Sequence, residues 1–414
     1  MKRISLESAT QMLYPFQREG VAFLYERKYA LIADDPGLGK TAQLIFAAWW
    51  LGARDVLILC PKTLVMNWKS ELYKWSQLAG IPQSALNTWG VTNYEKLLLP
   101  RFEDKLSRPW SIVIADECHR AFKNWRTKKC KAFAELVYPN TQRVWFSTAT
   151  LSTTSAIDYY PIFNFCMPNQ WGKYWEFYER YCYKKPDGTF GGFRRHGELQ
   201  KGFDYIGIKR KKFEVLHDLP DRVEIDIECG IDEKLFEQKL VEYNYNEHLS
   251  DAAYAHALGD AKVDAAISLM QELIPDDESF IFYCWHQSVV DEIAKRCEQL
   301  GHTTGVIRGG IPTASRWQTV EAFQAGKIKR LALNIQAGGE GLTLHAARYA
   351  MFVELPWSPT PYRQARDRIH RIGTKNAVTI YRLIADESDQ IRLNTLTKRL
   401  FHIEKIEHNS LTVN

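Results

Sequence analysis

Three groups of residues in this chain are placed to act on a phosphoric anhydride. The first is Asp34-Asp35-Pro36-Gly37-Leu38-Gly39-Lys40-Thr41, set between the apolar run Tyr29 to Ala33 and an alanine-rich segment from Thr41 to Trp50. Gly37 and Gly39 let backbone N–H groups converge on an anion, and the start of the following helix adds partial positive charge. Lys40 would reach the β- and γ-phosphates and the Thr41 hydroxyl would ligate magnesium, with Asp35 and Leu38 completing the nucleotide-binding loop. The usual pattern has glycine at the first loop position, where Asp34 stands here. The second group is Asp116-Glu117-Cys118-His119, at the end of the apolar run Trp110 to Ala115. In a parallel sheet, acids at the carboxyl end of a strand face the ligand crevice. Asp116 is expected to hold Mg2+, Glu117 to polarise the attacking water as general base, and His119 to couple the nucleotide to the next lobe. The third is Gln364 to Gly373, in which Arg368 and Arg371 lie three apart on one helical face with Gln364 near them. Guanidinium forks suit phosphate oxygens and would stabilise charge developing at a γ-phosphate. Taken alone, the acid pair also reads as a solvated turn and the arginines as a basic helix that binds nucleic acid non-specifically.

The elements around these groups alternate. Apolar strands at Val56 to Leu59, Ile112 to Ala115 and Val144 to Phe146 interleave with helical patterns, which predicts a parallel α/β sheet. The alternation recurs at Phe280 to Cys284, Thr304 to Ile307, Arg330 to Asn334, Tyr349 to Glu354 and Val378 to Leu383, with helices such as Ser288 to Leu300 and Arg316 to Gln324. At 414 residues, two domains are expected. The boundary is placed near His217 to Arg222, giving lobes 1–220 and 221–414 with helical protrusions at about 152–220 and 231–273. Trp171, Tyr174, Trp175, Phe177, Tyr178 and Tyr181 recur at helical spacing and read mainly as the core of the first protrusion. Lys209-Arg210-Lys211-Lys212 is a local basic excess that reads equally as a solvated face or a phosphate contact.

A net charge of +5 permits a polyanionic partner without demanding one. No apolar run is long enough to cross a bilayer and the first residues lack a secretory core, so a cytoplasmic or nuclear setting is expected, with no membrane partner. None of the eight cysteines forms a Cys-x-x-Cys pair, so reduced thiols and no structural zinc are expected.

Together the three groups resemble the superfamily-two helicase-like ATPases, and within them the SWI/SNF-related DNA translocases. Leu13 to Val21 is similar to that family's adenine-reading motif, in which Gln17 would contact the base. Cys60-Pro61-Lys62-Thr63-Leu64-Val65, ending at Trp68, and Val91-Thr92-Asn93-Tyr94-Glu95 resemble its DNA-contacting motifs. Ser147-Thr148-Ala149-Thr150 stands where the family links hydrolysis to movement, although Gly-Thr-Pro is commoner there. Ile307 to Gly310, Gln336 to Leu344 and Gln364 to Gly373 follow the order of its second-lobe motifs. Arg180-Tyr181-Cys182, Gly197-Glu198-Leu199 and the run from Lys209 to Leu219-Pro220 look most like the annealing-helicase, HARP-type branch.

The resemblance implies two RecA-like lobes, ATP and Mg2+ as cofactors, and DNA, double-stranded or branched, as partner. It places Lys40, Glu117, Arg368 and Arg371 in catalysis. Gln17, Asp35, Gly37, Leu38, Gly39, Lys40, Thr41, Gly341 and Gln364 fall on the nucleotide, and Thr41 and Asp116 on the metal. Lys62, Thr63, Trp68, Thr92 and Tyr94 fall on the nucleic acid from the first lobe, and Arg308, Gly310 and Thr343 from the second. The expected activity is DNA-dependent ATP hydrolysis that drives opening and closing of the lobes along duplex DNA, remodelling DNA structures or protein–DNA complexes, as in repair. A strand-separating DNA or RNA helicase and a nucleic-acid-binding scaffold without turnover are the alternatives. A monomer is expected, targeted by a protein partner or by DNA structure.

Overall fold

The computed structural model describes residues 5–151, 155–184, 190–216, 220–245, 251–338, 342, 344–370, 374 and 376–407. The chain divides into two compact units, residues 1–215 with 400–414, and residues 216–399. The sequence reading put the boundary at 220 and the C-terminal tail in the second lobe.

In the first unit, β1 (Tyr29–Ile32), β2 (Val56–Cys60), β3 (Gly90–Asn93), β4 (Trp110–Asp116), β5 (Thr141–Ser147) and a two-residue strand, β8 (Gly207–Ile208), form one sheet. Its order is β3-β2-β4-β5-β1-β8, and every pairing is parallel. The strands read as continuous apolar runs because both faces are covered. Leu31, Leu57, Leu59, Val113, Ala115, Val144 and Phe146 enter one core, while Ala30, Ile32, Val56, Ile58, Ile112, Ile114 and Trp145 enter the other. Alternate side chains of one strand point to opposite faces, so a single apolar run feeds two cores. Full burial of each valine, leucine, isoleucine or phenylalanine among them stabilises the fold by about 1.5–3 kcal/mol.

A small antiparallel hairpin of β6 (Tyr183–Lys184) and β7 (Phe190–Gly191) lies beyond the sheet, in the segment expected to protrude. Before it runs the helix Tyr174–Tyr181, whose Phe177 and Tyr181 are buried and whose Trp175 is exposed, capped by the Arg126 guanidinium at 4.3 Å. The aromatic repeat there is thus mostly core.

The second unit holds β9 (Arg222–Glu228), β10 (Phe280–Cys284), β11 (Thr304–Ile307), β12 (Arg330–Asn334), β13 (Tyr349–Phe352) and β14 (Val378–Ile384). Again all pairings are parallel, in the order β11-β12-β10-β13-β14-β9. The helices Glu233–Glu242, Asp251–Ala261 and Val263–Leu273 occupy the expected second protrusion. Two six-stranded parallel sheets with helices are the expected tandem RecA-like lobes. Among the described residues, no helix is long and apolar enough to cross a membrane.

The edge strand β9 shows why a charged alternation can still be a strand. Glu224 accepts from the Tyr362 hydroxyl at 2.6 Å and pairs with Arg366 at 3.0 Å and Arg382 at 3.1 Å, while Arg222 meets Asp367 at 3.1 Å. The polar face of this strand carries the ion pairs, and Val223 and Ile225 are exposed.

Candidate active site

The loop after β1 is built by its two glycines. Gly37 and Gly39 take φ of +89° and +74°, the left-handed region that L side chains rarely adopt. A Cβ on Gly39 would also meet the Gln17 amide nitrogen at 2.3 Å. Gly39 caps the helix Lys40–Trp50, so the amides of the first turn point at the loop. Lys40 Nζ donates to the backbone oxygen of Asp34 at 2.8 Å and lies 3.4 Å from that of Asp35. Gln17 is buried; its amide donates to the Leu38 carbonyl at 3.0 Å and accepts from the Tyr14 N–H at 3.0 Å, pinning the loop to the start of the helix Pro15–Glu26.

Asp34 is the departure that the structure explains. It has no exposed surface, and its carboxylate accepts from Arg210 Nε at 2.9 Å, Arg210 Nη2 at 2.6 Å and Gln43 Nε2 at 2.9 Å. Arg210 is itself buried, as is Lys209, which pairs with the fully buried Glu407. The Lys209-Arg210 half of the basic run is therefore not a solvated face. Lys212 is also buried, and its backbone N–H donates to Asp35 Oδ2 at 3.2 Å.

At the carboxyl end of β4, Asp116 is buried with both carboxylate oxygens engaged. Oδ1 accepts from the Ser147 hydroxyl at 2.5 Å and Oδ2 from the Trp68 indole at 2.8 Å. Burial, then the neighbouring Glu117 charge, push its carboxyl above the ordinary range; the Ser147 and Trp68 bonds and the Lys40 charge pull the other way. Such a carboxylate is short of positive charge, and each oxygen keeps a lone pair, which suits a cation. Among the described residues no group of three or more His, Cys, Asp or Glu could hold a metal ion. Mg2+ fits this donor set, since it is commonly bound by one or two protein oxygens with water and phosphate completing the shell.

Glu117 adopts φ of +47°, a strained backbone for a residue with a side chain. Its Oε2 is buried with no hydrogen-bond donor among the described residues, 3.4 Å from His119 Nδ1. His119 Nδ1 also lies 2.8 Å from the Thr148 hydroxyl, which donates its one hydrogen to the Thr150 carbonyl at 3.0 Å. Nδ1 must then carry the proton. Burial, with Arg120, Lys123 and Lys40 nearby, lowers this imidazole to about 3, so it is neutral at physiological pH. His119 thus sits beside Glu117 and is hydrogen-bonded into Ser147-Thr148-Ala149-Thr150, all within the first unit.

Two residues expected to touch nucleic acid do something else. Trp68 has no exposed surface and Tyr94 has 1 %. The Trp68 indole holds Asp116, and the Tyr94 hydroxyl donates to the Asp116 carbonyl at 2.7 Å. Neither reaches a surface, because helix Val65–Leu78 and the turn Tyr94–Leu98 turn these rings inward onto β4. The Thr92 hydroxyl is likewise buried and has no hydrogen-bond partner among the described residues. Lys62 is exposed and Thr63 half-buried beside it.

In the second unit, Gln364 and Arg368 lie on the helix Pro359–Ile369 and are buried; Arg368 Nη1 donates to the Leu342 carbonyl at 3.2 Å. That helix closes at Ile369 with His370 as its cap. Arg371, Gly341 and Thr343 lie outside the described residues. Arg308 pairs with Asp291 at 2.6 Å, and Gly310 is exposed with φ of +81°. A polar cluster that the sequence reading passed over sits elsewhere in this unit. Glu354 is buried and accepts from His286 Nδ1 at 2.6 Å and from the N–H groups of Trp285 and His286, and His286 stacks on His256 at 4.0 Å. Glu354 follows β13 rather than ending it, and its partners Trp285 and His286 are 69 and 68 residues away in sequence, so no local pattern marks the cluster.

Residues 16–273 match the SNF2-related domain and residues 261–373 the helicase conserved C-terminal domain. The SWI/SNF-related matrix-associated actin-dependent regulator of chromatin subfamily A-like protein 1 of Xenopus laevis is 28% identical over 90% of this chain and 42% of its own length. The DNA annealing helicase and endonuclease ZRANB3 of Mus musculus is 28% identical over 90% of this chain and 38% of its own. An uncharacterized ATP-dependent helicase of Mycoplasma pneumoniae is 26% identical over 94% of this chain and 41% of its own. The chain thus spans about two-fifths of the length of these curated relatives. Among solved structures, a Sulfolobus solfataricus SWI2/SNF2 ATPase core in complex with double-stranded DNA aligns over 96% of this chain and 97% of that one, with 20% identity and a TM-score of 0.45. With more than half its length matched by that domain, this chain belongs to the SNF2-related family and is a helicase-like ATPase.

Proposed function

We propose that the chain is a DNA-dependent ATPase that moves along duplex DNA and remodels DNA structures or protein–DNA complexes. The observation that carries this reading is the first unit's constellation: a glycine loop with Lys40 at its helix start, a caged Asp116, and a strained Glu117 with a carboxylate oxygen lacking a donor. Lys40 would exchange its bonds to the Asp34 and Asp35 carbonyls for the β- and γ-phosphates. The Glu117 carboxylate, partly exposed, would orient a water and accept its proton as the water attacks the γ-phosphorus. His119, neutral, lies 3.4 Å from Glu117 and is itself held by the Thr148 hydroxyl. Thr41 and Asp116 would hold Mg2+, which when bound neutralises phosphate charge.

Arg368, and Arg371 beside it in sequence, remain the candidates for stabilising transition-state charge, with Gln17 and Gln364 as nucleotide contacts. For nucleic acid the reading keeps Lys62 and Thr63 in the first unit and Arg308, Gly310 and Thr343 in the second. Contacts of this kind go to phosphate and sugar and would position a strand without reading its sequence. The names of the relatives, an annealing helicase and a chromatin regulator, favour DNA as the polymer, and hydrolysis would then drive a cycle of opening and closing in the two lobes.

The test is ATP turnover with duplex DNA, single-stranded DNA and RNA, followed by displacement of a third strand from a triplex. Duplex stimulation with triplex displacement is expected. Stimulation by single strands with unwinding would make the chain a strand-separating helicase, and no hydrolysis with any nucleic acid would leave a binding scaffold.

A further inference from the structure

The pairing of β1 with β8 continues past the sheet into the glycine loop. Leu31 and Ile32 sit opposite Gly207 and Ile208, after which the Ala33 N–H donates to the Ile208 carbonyl at 2.8 Å and the Asp35 N–H to the Arg210 carbonyl at 3.1 Å. Side chains then extend the ladder in the reverse sense. The Arg210 N–H donates to Asp34 Oδ1 at 3.1 Å and the Lys212 N–H to Asp35 Oδ2 at 3.2 Å. The Arg210 guanidinium closes the arrangement with bonds to both Asp34 oxygens, to Gln43 Oε1 at 2.8 Å and to the Phe16 carbonyl. Gly20 makes room for it, since a Cβ there would lie 2.9 Å from Arg210 Nη2 and 1.8 Å from Gln43 Oε1.

Asp34 therefore faces two ways: its carbonyl receives Lys40 and its carboxylate receives Arg210. A two-pronged guanidinium–carboxylate contact fixes orientation as well as distance, and with no exposed surface on Asp34 it is not softened by water. The residues just past Arg210 are the last of the first unit before the chain passes to the second. We propose that Arg210 is a positioning residue for the nucleotide site. By gripping Asp34 at the loop's first position it makes loop 33–35 and exit segment 208–212 one element, so that any rearrangement of the loop around a triphosphate is carried into the chain leaving the unit. This rests on the reading of the glycine loop as a phosphate site. It also accounts for Asp34 itself: a glycine there would remove the buried carboxylate and leave the buried Arg210 guanidinium only the exposed Glu19, 3.8 Å away, as counter-ion.

Hydrogen exchange of the full chain, with and without a non-hydrolysable ATP analogue and Mg2+, tests the proposal. The amides of Arg210 and Lys212 donate to Asp34 and Asp35 and so report the junction directly. Nucleotide is expected to slow exchange at residues 35–41 and, together with them, at least about fivefold at residues 208–212. Slowing in the loop with an unchanged exit segment overturns the proposal. No response in either segment removes the phosphate-loop reading and the proposal with it.

In the double variant Asp34→Asn/Arg210→Gln both charges go, so it should melt closer to the wild type than either single variant does. In it the loop should still respond to nucleotide while the response at 208–212 falls below about a third of the wild-type value. A merely structural pair would leave that response intact, and such a result overturns the coupling.

Discussion

Trp68→Phe probes the metal-site acid without touching any group that meets substrate. The substitution keeps an aromatic ring in a site with no exposed surface and deletes one donor, the indole N–H that Asp116 Oδ2 accepts at 2.8 Å. A hydrogen bond to a charged group is worth about 1.5–3 kcal/mol. Its loss should therefore push the Asp116 carboxyl further up. Burial already holds that carboxyl above the ordinary range, so the folded state keeps a proton that the unfolded state has released. The resulting stability is complete below about pH 4 and is lost as pH rises through the folded value. Trp68→Phe widens this window, and the variant should lose more stability than the wild type between acid and neutral pH. Catalysis moves in the same direction, because an ionised Asp116 is needed. The acid limb of kcat/KM for ATP should shift upward. Ser147→Ala, which removes the donor to Oδ1, should shift it likewise. The assay is the pH profile of steady-state hydrolysis, with urea unfolding at each pH to establish that the variant is folded. An acid limb in the wild-type position, in folded protein, would refute the role assigned to the indole.

Glu117→Gln keeps the shape of the strained turn and removes the proton acceptor, so kcat should fall at least about 100-fold with ATP affinity nearly unchanged, as single-turnover and binding measurements would show. Lys40→Ala should instead abolish turnover by weakening ATP binding, and ready hydrolysis by either variant would contradict these assignments. His119 is held neutral by burial at a pKa of about 3, so the unfolded chain takes up its proton first as pH falls below about 6.5. Wild-type stability should therefore decline below that pH by up to about 1.4 kcal/mol per unit from this residue, and His119→Gln should flatten the decline in urea titrations. In the second unit, Lys262 and Asp389 form an ion pair at 2.8 Å with 1 % of either side chain exposed. Lys262→Met should cost about 3–5 kcal/mol by stranding the carboxylate, and most of that should return in Lys262→Met/Asp389→Leu.

The sequence reading succeeded where a physical signal is local. Phe280–Cys284, Thr304–Ile307 and Arg330–Asn334 are strands at the residues expected: the first and third are buried along their whole length, and the edge strand Thr304–Ile307 carries its own short apolar signal. β3, β8 and β9 went unread. Gly90–Asn93 is half-buried and holds a single large apolar residue, Gly207–Ile208 is only two residues long, and Arg222–Glu228 alternates charge with apolar residues because its polar face is satisfied by Arg366, Arg382 and Tyr362. The loop and acid motifs could be read from residue type alone. Side-chain direction could not: Trp68 and Tyr94 stand in stretches that resemble nucleic-acid motifs, yet their polar atoms turn inward onto Asp116. Likewise a run of four basic residues gives no hint that Lys209 and Arg210 are buried, since their partners, Glu407 and Asp34, are far away in sequence.

The helix Glu387–Glu407 begins in one unit and ends in the other. Glu407 has no exposed surface; it meets Lys209 and accepts from the Leu151 N–H at 3.2 Å and the Tyr159 hydroxyl at 3.1 Å. Topologically, the second unit is an insertion spliced into the first. Dividing the gene after Val215 would then yield an incomplete product, lacking the acid on which Leu151, Tyr159 and Lys209 converge, and expression of the amino-terminal half alone should give poorly soluble protein unless a peptide spanning residues 400–414 is supplied in trans.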